Sequence, residues 1–188
     1  PVQQQLRILN LLGISDIDES LELWTTREDN DAAERLIHAA RPDVHKERNG
    51  YVGFVLGASR EWKSKRWPLE SFLELAIRIE QELHMNVVLI GNHAQKGLAE
   101  QFMLETETDA IDCVGKTSVR EMIALIEKID CLVCGDSAPL HVAAAVKTKT
   151  IALFGPTDPR RHAPPHMDGL LLKRNLSCMP CYKRWCHH

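Results

Sequence analysis

At 188 residues, 44% hydrophobic and 26% charged, the chain is long enough to bury one proper core and has the composition of an ordinary globular protein. A net charge of −3 argues against the basic surface that non-specific nucleic-acid binding requires. With no apolar run near the ~20 residues of a membrane-crossing helix and no signal peptide, a cytoplasmic protein with reduced thiols is expected.

Leu6, Leu9 and Leu12 predict one face of a first helix, ended by Gly13. Leu21-Glu22-Leu23-Trp24 alternates as a short strand does. Asp29 or Asn30 is expected to cap a helix with Ala33, Leu36, Ile37 and Ala40 on one face, stopped at Arg41 by Pro42. Residues 43–49 are polar and read as a connector.

From Tyr51 the pattern becomes strand–helix alternation. Strands are predicted over Tyr51–Leu56, Val87–Ile90, Ile111–Val114, Ile129–Cys134, Thr150–Phe154 and Leu170–Leu172. Pro68 suits the first turn of a helix with the apolar face Leu69, Phe72, Leu73, Ala76, Ile79 and Leu83. A second helix spans about Gln95–Leu104, Ser118 and Glu121 form a capping box for a third, and a small-residue helix follows Gly135-Asp136-Ser137-Ala138-Pro139-Leu140-His141. Five or six short apolar strands between amphipathic helices predict an α/β fold with a doubly wound parallel sheet. Ligands of such sheets sit beyond the carboxyl ends of the strands. The chain starts as if in mid-helix and stops inside a Cys/His cluster, so part of a longer protein is expected.

The candidate chemistry lies in those loops. Ser59, Arg60, Lys63, Lys65 and Arg66 follow the first strand of the alternation, where a hydroxyl and several cations can hold a diphosphate, although a solvated basic loop has the same composition. The segment 135–141 turns a strand into a helix start, which offers backbone N–H groups and a positive dipole end to an anion. Asp136 there is either a helix cap or an acceptor for sugar or ribose hydroxyls. Beside a diphosphate it needs a cationic or hydroxyl partner, and Lys65 is a candidate. Ser137 can offer a hydroxyl or an N–H to phosphate, while His141 taken alone is a packed helix histidine. The Phe154-Gly155-Pro156-Thr157-Asp158-Pro159 turn frames the same crevice from the other side. Cys131 and Cys134 are spaced to face opposite sides of a strand and read as core. Cys178, Cys181 and Cys186 with His187 and His188 fit zinc-ligand spacing, reduced thiols, a site completed by residues beyond the end, or an expression-tag remnant.

Gly57-Ala58-Ser59-Arg60, Lys65-Arg66-Trp67-Pro68, Val114-Gly115-Lys116-Thr117-Ser118, the 135–141 segment and the 154–159 turn occur in a fixed order. Together they resemble the ADP-heptose:lipopolysaccharide heptosyltransferase family of GT-B glycosyltransferases, and the resemblance covers its C-terminal half. It implies an N-terminal helix and inter-domain linker over 1–49, a Rossmann-like donor domain over 50–174 and a Cys/His-rich tail over 175–188. It implies donor binding by Ser59, Arg60, Lys65, Asp136, Ser137, Ala138, His141 and Thr157, with Lys65 on the diphosphate and Asp136 at sugar hydroxyls. It further implies an inverting enzyme with an ADP-sugar donor and no required cofactor or catalytic metal, the helix dipole and basic side chains stabilising the leaving diphosphate. The partners implied are ADP-heptose or a similar nucleotide sugar and, through an N-terminal domain, the lipopolysaccharide inner core. Nucleic acid is not among them, and the expected location is cytoplasmic, peripheral on the inner membrane face. The family's catalytic base, a carboxylate near the start of its N-terminal domain, has no counterpart in these residues, so inactivity alone is expected.

Two departures stand out. The family's Asp-Thr-Gly is Asp136-Ser137-Ala138, which adds a Cβ beside the phosphate position, and Gly91-Asn92-His93-Ala94-Gln95-Lys96 lacks the acidic residue that often meets a ribose. They keep open a second reading, a non-catalytic nucleotide-binding or scaffolding module of the same fold.

Overall fold

A computed structural model of the chain describes residues 2–15, 17–40, 49–59 and 61–186. At its centre lie β1 (Tyr51–Phe54), β2 (Asn86–Leu89), β3 (Ile111–Asp112), β4 (Cys131–Gly135), β5 (Lys149–Phe154) and β6 (Gly169–Lys173). They form one six-stranded sheet in the order β3-β2-β1-β4-β5-β6. Every pair is parallel, with Val52 opposite Val87 on one side and Cys131 on the other. Such sheets are covered on both faces, and all four residues of β2 are accordingly buried.

Helices α3 (Leu69–Arg78) and α4 (Lys96–Glu105) cover one face. Their Phe72, Ala76, Ala99 and Phe102 pack on Phe54 and Leu89, and Phe54 meets Phe72 at 5.2 Å and Phe102 at 6.4 Å between ring centres. Helices α2 (Arg27–Ala40), α5 (Val119–Glu127) and α6 (Ala138–Ala145) cover the other. There Ala33, Ile37, Leu125, Leu140 and Ala143 pack on Val88, Leu132 and Cys134. The sheet is doubly wound, as the strand–helix alternation predicts. Cys134 belongs to this second core and Cys131 packs against the first, the opposite-face placement their spacing requires.

Helix α1 (Val2–Leu11) ends in a turn that Gly13 closes at φ +78°. Leu21–Trp24 forms no strand: Leu23 and Trp24 are 39% and 77% exposed, and alternation without a neighbouring ladder leaves extended backbone unpaired. Helix α2 starts earlier than expected, because Thr26 and Asp29 form a reciprocal box in which each side chain accepts from the other's backbone N–H, so Asp29 stands three residues inside the start. The predicted stop at Arg41–Pro42 lies outside the described residues. Pro68 caps α3 rather than opening its first turn, and a wider turn over Ile79–Leu83 leaves Leu83 53% exposed, off the apolar face. The Ser118–Glu121 box forms as predicted, with both backbone N–H groups satisfied. No helix among the described residues is long and apolar enough to cross a membrane.

Candidate functional site

The strand order makes β1 and β4 neighbours whose following segments depart in opposite directions, β1 towards β2 and β4 towards β5. Such a reversal opens a crevice at the carboxyl ends of the two strands. The segments that reach it are 55–59 and 61–68 after β1, 135–138 after β4 and 154–159 after β5.

After β4, Ser137 is the N-cap of α6 in extended geometry, but its side chain does not cap the helix; its hydroxyl donates to the Gly135 carbonyl at 3.2 Å. Pro139 sits in the first turn, where a missing N–H costs nothing. The start of α6 thus carries no side-chain cap, and its dipole is positive at the crevice. Asp136 is not the cap that one sequence reading made it. It is 9% exposed and its Oδ2 accepts from Lys65 Nζ at 2.7 Å and from the Thr157 hydroxyl at 2.7 Å. Among the described residues no hydrogen bond is made to Oδ1, the carboxylate's other oxygen.

Lys65 reaches Asp136 because of its backbone. Lys63–Lys65 form a single tight turn. A Cβ on Gly135 would lie 2.9 Å from the Lys65 carbonyl, and one on Gly155 would lie 3.0 Å from the Ser64 carbonyl. Two glycines at the ends of adjacent strands therefore let the basic turn settle on the sheet edge. The Lys65 ammonium also lies 4.7 Å from the centre of the Trp62 ring, and its side chain is 16% exposed. Residues 65, 136 and 157, far apart in sequence, thus meet in one buried cluster.

The other predicted donor residues take separate places in the fold. Ser59 is exposed at the head of the β1 loop and its carbonyl accepts from Trp62 N–H at 2.9 Å. Arg60 lies outside the described residues. Ala138 is the first residue of α6, so its Cβ stands at the helix start. Thr157 is 2% exposed and faces Asp136. His141 is exposed by area, yet partial loss of water around its ring lowers its pKa; the nearby His162 acts in the same direction and Asp136 opposes both.

Cys178, Cys181 and Cys186 line one cavity of about 180 Å³ with Ser64, Pro156 and Trp185. Among the described residues no three His, Cys, Asp or Glu side chains are arranged to hold a metal. His187 and His188 lie outside the described residues.

Four residues, Trp62, Gly135, Gly155 and Asp158, have parts here that the sequence alone does not assign. Trp62 stands next to the basic run without belonging to it. The glycines of the two strand ends signal nothing until the strand order brings the turn over them. Asp158 caps a short helix, α7 (Pro159–His162), through the Arg160 N–H at 3.0 Å; Asp followed by Pro was the available signal.

Residues 5–188 match the profile of the family described as glycosyltransferase family 9 (heptosyltransferase). The chain is 30% identical over 149 residues to lipooligosaccharide heptosyltransferase 2 of Campylobacter jejuni serotype O:2, a match covering 75% of this chain and 46% of that protein. The crystal structure of a family 9 glycosyl transferase from Veillonella parvula superposes at a TM-score of 0.79 with 23% identity, over 89% of this chain and 47% of that one. The structure of the ADP-heptose LPS heptosyltransferase II of Escherichia coli superposes at 0.67 with 25% identity, over 83% and 46%. The chain spans about half the length of the curated relatives it matches.

Proposed function

The chain belongs to glycosyltransferase family 9, the heptosyltransferase family, and on that premise we propose that it is the donor-binding half of an enzyme that moves a heptose from an ADP-activated sugar to the lipopolysaccharide inner core. The observation that carries the reading is the Lys65–Asp136–Thr157 cluster at the sheet's reversal point, beside a helix start with no side-chain cap. The name of the Escherichia coli neighbour, an ADP-heptose LPS heptosyltransferase, favours the donor class.

In this reading Lys65, the first amides of α6 and Ser59 hold the donor's diphosphate, with Arg60, His141 and Thr157 around it. Oδ1 of Asp136 accepts from the sugar's hydroxyls, and Lys65 shields the carboxylate from the phosphates. The acceptor hydroxyl attacks the anomeric carbon from the face opposite ADP, the C–O bond to the diphosphate breaks, and configuration inverts. The pyrophosphate oxygen that gains charge is the one Lys65 and the helix dipole stabilise. The acceptor's proton goes to a base outside these residues, in the half of the relatives that this chain does not cover, so this half alone transfers no sugar. The inner membrane face is where the enzyme meets its lipid-borne acceptor.

Calorimetry of the chain with ADP tests the reading. Binding is expected, and Lys65→Ala is expected to weaken it by about tenfold or more, the scale of one lost charge-assisted contact. No binding, or equal binding by the variant, overturns it.

A further inference from the structure

We propose that the C-terminal tail, through Tyr182–Trp185, is a positioning element of the donor site that holds the Lys65 turn in its phosphate-ready place; the inference rests on the donor-site reading above. The turn is gripped from two sides. Against the sheet, the carbonyls of Lys65 and Ser64 press on Gly135 and Gly155, where a Cβ would come within 2.9 and 3.0 Å. From the tail, the Ser64 N–H donates to the Arg184 carbonyl at 3.1 Å and the Ser64 hydroxyl donates to the Lys183 carbonyl at 2.5 Å.

Flanking side chains reinforce those bonds. Arg184 pairs with Glu61 at 2.7 Å, and the Lys63 ammonium sits 4.6 Å over the Trp185 ring. The Arg184 guanidinium lies 5.9 Å from the Trp62 ring, the same ring that Lys65 approaches. Tail residues 183–185 thus touch residues 61–64 at every position, immediately before Lys65.

The tail is itself fixed to the third crevice segment. Tyr182 N–H donates to the Pro156 carbonyl at 2.9 Å, its hydroxyl accepts from Asp158 N–H at 3.4 Å, and its ring lies 5.7 Å from His162. Tyr182 holds φ +52°, a left-handed conformation disfavoured for a residue with a side chain and kept only where surrounding contacts impose it. The tail therefore spans from the Pro156 turn to the Lys65 turn, two of the three segments that frame the crevice.

Each exposed pair is weak alone. Their convergence on one short turn removes its freedom before a ligand arrives, and a site ordered in advance loses less entropy on binding. A tail that merely covered the sheet edge would change stability without changing ADP affinity through Lys65.

The test is ADP calorimetry on the full chain with Ser64→Ala and Trp185→Ala, each in the wild-type and in the Lys65→Ala background. Each is expected to weaken ADP about three- to tenfold with Lys65 present and less than about twofold without it, because coupled contacts do not add. Unchanged affinity, or equal losses in both backgrounds, overturns the proposal. Should Trp185→Ala lose its cooperative melt, Trp185→Leu keeps the packing, removes the aromatic face and answers the same question. A wild-type chain that binds no ADP overturns the donor reading and this inference together; binding that ignores the tail variants overturns this inference alone.

Discussion

Removing Lys65 while leaving Asp136 tests the electrostatics of the crevice. At 2.7 Å and an effective dielectric near 20, the attraction is about 6 kcal/mol before the cost of desolvating both groups. Loss of one partner from a fully buried pair costs about 3–5 kcal/mol. These side chains keep 16% and 9% exposure and Thr157 still donates to the carboxylate, so Lys65→Met should cost about 2 kcal/mol, a fall in Tm of roughly 4–8 °C for a chain of this size. Asp136→Asn should cost less, about 1 kcal/mol, because the amide oxygen still accepts from both neighbours. The two variants should part company in binding. Lys65→Met weakens ADP, whereas Asp136→Asn removes a negative charge from beside the diphosphate and leaves ADP affinity unchanged or tighter, while weakening an ADP-sugar relative to ADP. Thermal melts and calorimetry with both ligands read this out. Equal loss of ADP affinity in the two variants would refute the assignment of phosphate to Lys65 and sugar to Asp136.

Gly135→Ala and Gly155→Ala place a Cβ against backbone carbonyls of the basic turn, and each should cost about 1–3 kcal/mol of stability in a denaturant titration and weaken ADP as the turn is pushed away. Thr157→Val keeps the shape but removes a donor from Asp136, an expected loss of about 1–3 kcal/mol that Thr157→Ser recovers, followed by thermal melts. Since His141 titrates below its usual 6.5 in the fold, the unfolded chain takes up that proton first as pH falls. Its contribution is therefore full above 6.5 and is lost as pH drops through the window just below that value, and His141→Gln should flatten this part of the stability–pH curve. In NMR titrations ADP should raise the His141 pKa, because a nearby diphosphate favours the imidazolium. Burial pushes the Cys113 and Cys134 thiols up to about 12, so at pH 8 a thiol reagent should label exposed Cys178 and Cys186 rapidly and reach the two core thiols only after unfolding.

The sheet was legible because its strands are short, apolar and separated by amphipathic helices, and burial on both faces leaves a parallel strand little other composition. Leu21–Trp24 shows the limit of that reasoning. Its alternation fits a strand equally well, but a strand exists only where a neighbour offers a ladder, and pairing is not a local property. The helix starts at Thr26 and Asp158 rest on local chemistry, a Thr–Asp box and an Asp–Pro step, and both signals are present in the sequence.

The site divides along the same line. Lys65 and Asp136 were legible as types, a cation and a carboxylate on loops that follow strands, and even as partners, since a carboxylate beside phosphates needs a counter-charge. Their meeting depends on β1 and β4 being neighbours, which follows from the chain turning back after β3 to add β4 on the other side of β1. The height of the lysine over the crevice depends on something subtler. Gly135 ends β4 and Gly155 directly follows its neighbour β5, and the missing Cβ atoms form a shelf about one carbon deep on which the 63–65 turn rests. A side chain on either would lift the turn and carry the ammonium away from a carboxylate that is 2.7 Å from it. A charge-assisted bond is strongest near this separation, so Gly135 and Gly155, which bring no side chain, set the geometry of the Lys65–Asp136 pair.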